Sequence, residues 1–232
     1  TNAQRHLEPV RLPPLDLVCM NPPFTRTCGD NLLFGSLPNA ERTRLQRALQ
    51  ALLQAHGAEA HITAGLGAVF IAVADRHLKP NGRLAFVLPK ALLSGMAWQP
   101  SRELLAQRYQ MEYLIVSHDP ERWNFSENTD LSETLFIARK RPAEESESPE
   151  TRRDISETSV GGVTLCVNLW RNTTNPVDAV LLSHEVHRLS PSGARQEVFD
   201  LWMGDEKWGE AMAIPTEQFN ALPHWLLPCA FA

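Results

Sequence analysis

The sequence predicts an α/β protein, and three observations carry that prediction. Short apolar runs of strand length recur along residues 12–140. Longer stretches with apolar residues at helical spacing lie between them. The two kinds of segment alternate, and strands alternating with helices imply a sheet built largely from parallel strands.

The first run, Leu15 to Met20 (LDLVCM), is bounded by prolines and reads as a buried strand. Residues 25–40 hold Gly29, Asp30, Asn31, Gly35, Pro38 and Asn39 and read as a loop. Leu45, Ala48, Leu49, Leu52 and Leu53 recur at i, i+3, i+4, i+7 and i+8, so residues 41–55 form an amphipathic helix that stops near Gly57. Residues 64–78 are apolar nearly all round and predict a buried helix, which KPNG (79–82) should end. The continuous run from Leu84 to Leu88 predicts a strand covered on both faces. A helix over 100–109, a strand over 112–117, a polar loop and a strand over 133–140 complete the series.

Residues 141–159 change character: they are charged, rich in Ser and Glu, and read as a linker. The chain therefore divides into 1–140, the linker 141–159, and 160–232. In the last part GGVTLCVNLW predicts a strand, and a helix follows with Asn175 as N-cap and Pro176 in its first turn. Residues 196–232 are rich in Trp and Pro and predict little regular structure.

Composition narrows the function. The chain has 232 residues, 43% hydrophobic and 21% charged, which suits a globular domain with a sizeable core. No apolar run approaches the length of a membrane span, and residues 1–14 hold no signal-peptide apolar region. Cys19, Cys28, Cys166 and Cys229 form no CxxC pair, which predicts a reduced, cytoplasmic protein without a zinc site. His184 and His187 are three residues apart where a zinc helix needs four, so HEVH reads as a surface helix. A formal charge of −5 argues against tight phosphate binding by this chain alone.

The chemistry concentrates at Asn21-Pro22-Pro23-Phe24, directly after the first strand. α/β proteins place binding sites at the carboxyl ends of strands. Two successive prolines fix two φ angles, so the Pro22 carbonyl is held in one direction. The Asn21 side chain adds a second acceptor oxygen, and Phe24 adds a flat ring. Two fixed acceptors and a ring suit a planar substrate with an exocyclic amine. Accepting both N–H hydrogens favours a pyramidal nitrogen and localises its lone pair for attack on an electrophilic methyl group.

This pattern resembles the catalytic motif of S-adenosylmethionine-dependent amino-methyltransferases, and the chain is similar to the adenine-N6 DNA methyltransferases of restriction–modification systems. The resemblance covers about residues 12–140. AVFIAVADRHLKPNGRLAFVLP resembles the family's buried helix, turn and next strand, SRELLAQR its following helix, and FSENTDLSETLFIARK its late loop and last strand. It implies the later strands of a Rossmann-like class I methyltransferase fold, mostly parallel with an antiparallel last strand, plus an α+β extension. It implies that Asn21 and Pro22 accept from the target amine while Phe24 stacks on a flipped-out adenine. Phe125, or alternatively Trp123, would pack against the base from the late loop. Ribosomal RNA and protein-glutamine methyltransferases share the motif, and a non-catalytic scaffold or DNA-binding subunit is a further reading.

The family's Gly-rich cofactor turn belongs before the motif, and only 20 residues precede Asn21. GLGAVF (65–70) lies in a helical pattern and follows no strand. The resemblance therefore implies a fragment whose partners are double-stranded DNA, the missing N-terminal half and a target-recognition domain, toward which the C-terminal segment leads. Such a piece is expected to bind S-adenosylmethionine weakly or not at all, to be inactive alone, and to self-associate through an open sheet edge. Trp202, Trp208 and Trp225 read as packing residues rather than a base-stacking platform. Arg42, Arg44, Arg47, Arg152 and Arg153 read as solvated, and Asp119 and Glu121 are not needed as bases.

Overall fold

The computed structural model describes residues 12–25, 32–122, 125, 132–142 and 162–225. In chain order the elements are β1 (Leu15–Met20), α1 (Asn39–Ala55), α2 (Leu66–His77), β2 (Leu78–Pro89), α3 (Gln99–Arg108), β3 (Tyr109–Ser117) and β4 (Glu133–Lys140). They continue with β5 (Val163–Leu169), α4 (Pro176–His187), β6 (Glu197–Met203), β7 (Glu206–Pro215) and the short α5 (Thr216–Asn220). The α/β expectation holds, and helices α1 to α4 lie within a few residues of their predicted spans.

Among the described residues all seven strands join one sheet in the order β1-β2-β4-β3-β5-β7-β6. The pairs β1–β2 and β3–β5 are parallel. The other four pairs are antiparallel, because β4 lies between β2 and β3 and β7 lies between β5 and β6. Five strands thus run one way and two the other. The predicted antiparallel last strand of the first segment is β4. Strands β5 to β7 continue the same sheet through the β3–β5 pairing.

One apolar cluster joins Ala68, Ile71, Leu84, Phe86, Leu88, Leu104, Leu114 and Phe136, packing α2 and α3 on one sheet face. A second joins Leu165, Val167, Leu182, Val186 and Leu201, packing α4 over β5, β6 and β7. Helix α4 starts as predicted: the Asn175 side chain accepts the Asp178 N–H, and Pro176 occupies the first turn.

Four expectations are corrected. β1 is not a buried strand but a sheet edge among the described residues, paired on one side only; Val18 is buried while Leu17 is 60% exposed. The Leu84–Leu88 run is not covered on both faces: Leu84, Phe86 and Leu88 are buried, whereas Ala85 and Val87 are half-exposed. KPNG does not separate helix from strand, because β2 already begins at Leu78. The four residues bulge between the pairs Leu15–Leu78 and Leu17–Arg83, with Asn81 at φ 64°. Finally, residues 196–232 are regular over β6, β7 and α5. The missed signal was a two-residue hairpin turn at Gly204-Asp205, where Gly204 takes φ 63° at no steric cost.

Candidate active site

Strand β1 ends at Met20, which pairs with Phe86 of β2. The chain then leaves the sheet at its carboxyl edge as Asn21-Pro22-Pro23-Phe24. Pro22 is buried, Asn21 and Pro23 are exposed, and Phe24 is half-buried. A buried proline between two exposed residues anchors the loop through its ring. Beyond Phe24, the Thr25 hydroxyl accepts the Leu66 N–H at 3.1 Å, which ties the loop to the start of α2.

The other strand ends gather on the same edge. Pro89 of β2 lies opposite Glu133 at the start of β4, and the Lys90 N–H donates to the Ser132 carbonyl at 2.8 Å. The Glu133 carboxylate is fully buried and accepts the Phe125 N–H at 2.7 Å. Phe125 therefore sits at the carboxyl edge, and its ring packs against the cluster containing Leu165, Val167 and Leu169. Phe24 belongs to neither buried cluster. The described contacts thus bring both rings to one edge of the sheet without showing them packed together. Trp123 lies outside the described residues.

The loop after β3 is built around Asp119. One carboxylate oxygen accepts the Glu121 N–H at 2.9 Å and the Arg122 N–H at 3.2 Å. The other accepts the Asn172 N–H at 2.9 Å. Burial pushes the Asp119 carboxyl up, but the three backbone donors outweigh it and hold the group below the ordinary aspartate value. A carboxylate engaged in this way shapes a loop and is poorly placed to take a proton from substrate. His118 stands beside it, within hydrogen-bond distance of Asn168 Oδ1 at 3.1 Å and tilted against Trp170.

Sequence reasoning missed this knot, and it missed Glu133. The signal for Glu133 was a carboxylate at the first position of an apolar strand, and the hydrogen bond that buries it comes from a loop residue eight positions earlier. The tryptophans separate: Trp208 and Trp225 are packed, Trp225 against Phe219 at 5.1 Å, while Trp202 is 48% exposed. His184 and His187 lie exposed on α4. Among the described residues no group of three or more His, Cys, Asp or Glu side chains is gathered to hold a metal ion, and no helix is long and apolar enough to cross a membrane.

The fold and site define an α/β protein with an Asn-Pro-Pro-Phe loop at the carboxyl end of an edge strand. Its sequence matches no protein-family model and no curated protein sequence. Among solved structures the chain is similar to the type IIG restriction endonuclease BpuSI, with 14% identity and a TM-score of 0.46 over 90% of this chain and 20% of that one. It is also similar to the methyltransferase subunit of a type I restriction-modification system from Streptococcus thermophilus, with 16% identity and a TM-score of 0.41 over 66% and 27% of the two chains. A third likeness is to a structure described for complex assembly and conformational transition of a type I restriction-modification system, with 15% identity and a TM-score of 0.39 over 68% and 30%. The chain spans less than a third of the length of each of these proteins.

Proposed function

We propose that this chain is the amine-binding part of an S-adenosylmethionine-dependent adenine-N6 DNA methyltransferase of restriction–modification type. The observation that carries the reading is the Asn21–Phe24 loop itself. It leaves a strand that lies parallel to its neighbour, at the carboxyl edge, with Pro22 buried and Asn21 exposed. A target adenine would present its exocyclic amine to Asn21 Oδ1 and the Pro22 carbonyl, with Phe24 against the base. The two acceptors draw the N–H hydrogens aside and leave the lone pair directed outward. Phe125 closes the site from the late loop.

The methyl donor is a different matter. The described residues hold no Gly-rich turn between a strand and a helix, so they do not fit S-adenosylmethionine by themselves. We infer that its site is completed by a unit seated against the open β1 edge, in the same protein or in a partner subunit. The exposure along the parallel pair β1–β2, with Leu17 60% exposed and Ala85 and Val87 half-exposed, supports this, since parallel strands are ordinarily covered on both faces. The whole enzyme would act on double-stranded DNA, with sequence choice made by a target-recognition domain.

The test is transfer of labelled methyl groups by the full-length protein to duplex DNA containing adenine, with and without Asn21→Ala. Expected is N6-methyladenine with the parent protein and loss of transfer, at unchanged thermal stability, with the variant. Near-normal transfer by Asn21→Ala would refute the role of Asn21. Label appearing only in RNA or on protein glutamine would replace DNA as the substrate.

A further inference from the structure

Gly65-Leu66-Gly67 is a glycine motif that the proposed chemistry leaves without a task. It opens α2, the most deeply buried helix beside the site: Ala68 and Ile71 are fully buried. Gly65 has φ 88°, where an L side chain is strained. A Cβ placed on it would lie 2.0 Å from the Thr25 carbonyl oxygen, inside any tolerable contact. A Cβ on Gly67 would lie 2.7 Å from Leu88 Cδ2 and 2.9 Å from the Trp98 ring. Both glycines therefore serve close approach. Gly65 admits the backbone that follows Phe24, and Gly67 admits the end of β2.

The start of α2 also lacks a cap of its own. Its N-cap is Gly65, which has no side chain to accept the orphan N–H groups of the first turn. Thr25, 41 residues earlier in the chain, provides an acceptor: its hydroxyl takes the Leu66 N–H at 3.1 Å. The helix is capped by the residue next to the Asn21–Phe24 loop. That loop is thereby fixed at both ends, by the Met20–Phe86 pair on one side and by Thr25 on the other.

We propose that Thr25 and Gly65 are positioning residues, a tertiary cap that holds Asn21 and Pro22 in register with the target amine. The proposal rests on the reading of that loop as amine-binding. Thr25 touches no reacting atom. It acts by denying the loop a rigid-body shift, and a misplacement of about 1 Å at a reacting centre can cost about 100-fold in rate.

The test uses three forms of the full-length protein: the parent, Thr25→Val, which keeps the branched shape and removes the acceptor, and Thr25→Ser, which keeps the hydroxyl. Methyl transfer to adenine-containing duplex is measured under conditions where each form is folded by circular dichroism, together with amide hydrogen exchange at Leu66 and Phe24. Expected for Thr25→Val is a kcat lower by about 10- to 100-fold, KM for DNA unchanged, and faster exchange at both amides. Thr25→Ser should restore all three. Unchanged exchange at Leu66 in Thr25→Val, or unchanged kcat despite faster exchange, would overturn the proposal. Should the parent transfer no methyl group at all, the functional reading falls on that result, and exchange at Phe24 alone decides whether the cap holds the loop.

Discussion

Asp119 accepts the backbone N–H of Asn172 at 2.9 Å, across 53 residues of chain. The bond joins the loop after β3 to the loop after β5. It is reinforced by Asn172 Nδ2 and by Ser117 Oγ, which both donate to the Arg122 carbonyl. The segment that begins at Gly162 is thus tied to the edge of the sheet that carries Asn21.

Replacing Asp119 by Ala leaves the buried Asn172 N–H and the part-buried N–H groups of Glu121 and Arg122 without their acceptor, and the expected loss is about 1–3 kcal/mol. The pH dependence follows from the sign of the shift. The folded carboxyl is held below its ordinary value of 3.8. Its stabilisation is therefore fully present above that value and is lost as pH falls through the lower, folded one. Urea unfolding of the parent and of Asp119→Ala should differ most near neutral pH and converge below pH 3.8. A constant difference across that range would assign the loss to packing.

The order of helices and strands in the described residues up to 140 was legible because local pattern and tertiary demand agree there. The apolar run 84–88 and the helical spacing in 41–55 and 66–77 say the same thing as the sheet and its helices. The Asn21–Phe24 loop stands out in the sequence for another reason, since two prolines directly after a strand fix two successive φ angles whatever surrounds them. The failures are all of a kind. Whether Leu17 is covered depends on which strands lie beside β1. The β6–β7 hairpin alternates weakly because Glu197, Asp200, Glu206 and Lys207 interrupt its apolar pattern. Glu133, Thr25 and the Asp119 knot act through partners distant in sequence or through backbone donors, which no residue pattern displays.

At the opposite end of the sheet Asp75 is 4% exposed. It accepts the Tyr109 hydroxyl at 2.8 Å and Arg108 Nη1 at 2.7 Å, with Lys140 Nζ at 3.1 Å. Burial pushes its carboxyl up, but these donors outweigh it and hold the group below the usual range. Burial and the neighbouring Asp75 push the Tyr109 phenol well above its ordinary value. Asp75→Asn should cost about 2–3 kcal/mol, less than a fully buried broken pair, because the Arg108 side chain keeps 41% of its surface in water. The activity of the protein that remains folded should not change, since the cluster lies a full strand length from Asn21. Chemical unfolding and transfer per folded molecule check the two halves separately.

Phe24 and Phe125 should respond differently to truncation. Phe24 lies in neither buried cluster, so Phe24→Ala should leave the melting temperature nearly unchanged. It should raise KM for DNA by about tenfold, as the loss of one base–aromatic stack predicts. Phe125 packs against Leu165 and Val167, so Phe125→Ala should lower stability as well, by about 1–2 kcal/mol, less than a fully buried Phe→Ala change. Steady-state kinetics and thermal melts on the same two variants distinguish the roles. A destabilised Phe24→Ala would make Phe24 a packing residue.

The sheet face away from α2 and α3 yields the last prediction. Register places Cys19 beside Ala85, Ala85 beside Ile137 and Val87 beside Leu135, with Leu17 next in line on β1. Ala85, Val87, Leu135 and Ile137 are half-exposed, and none belongs to either buried cluster. Next to them runs the edge of β1, which is paired on one side only among the described residues. An apolar face flanked by unpaired backbone groups invites association. The 232-residue chain by itself should therefore form dimers or larger species at micromolar concentration. Leu17→Lys, a change at a side chain already 60% exposed, should shift it toward monomer without unfolding it. Sedimentation velocity across a concentration series reads this directly. In the assembly proposed above, with a further unit seated on β1, the same substitution should instead lower stability, because that unit would then meet a buried charge. If Leu17→Lys is silent in both settings, this face is not where the rest of the cofactor site docks.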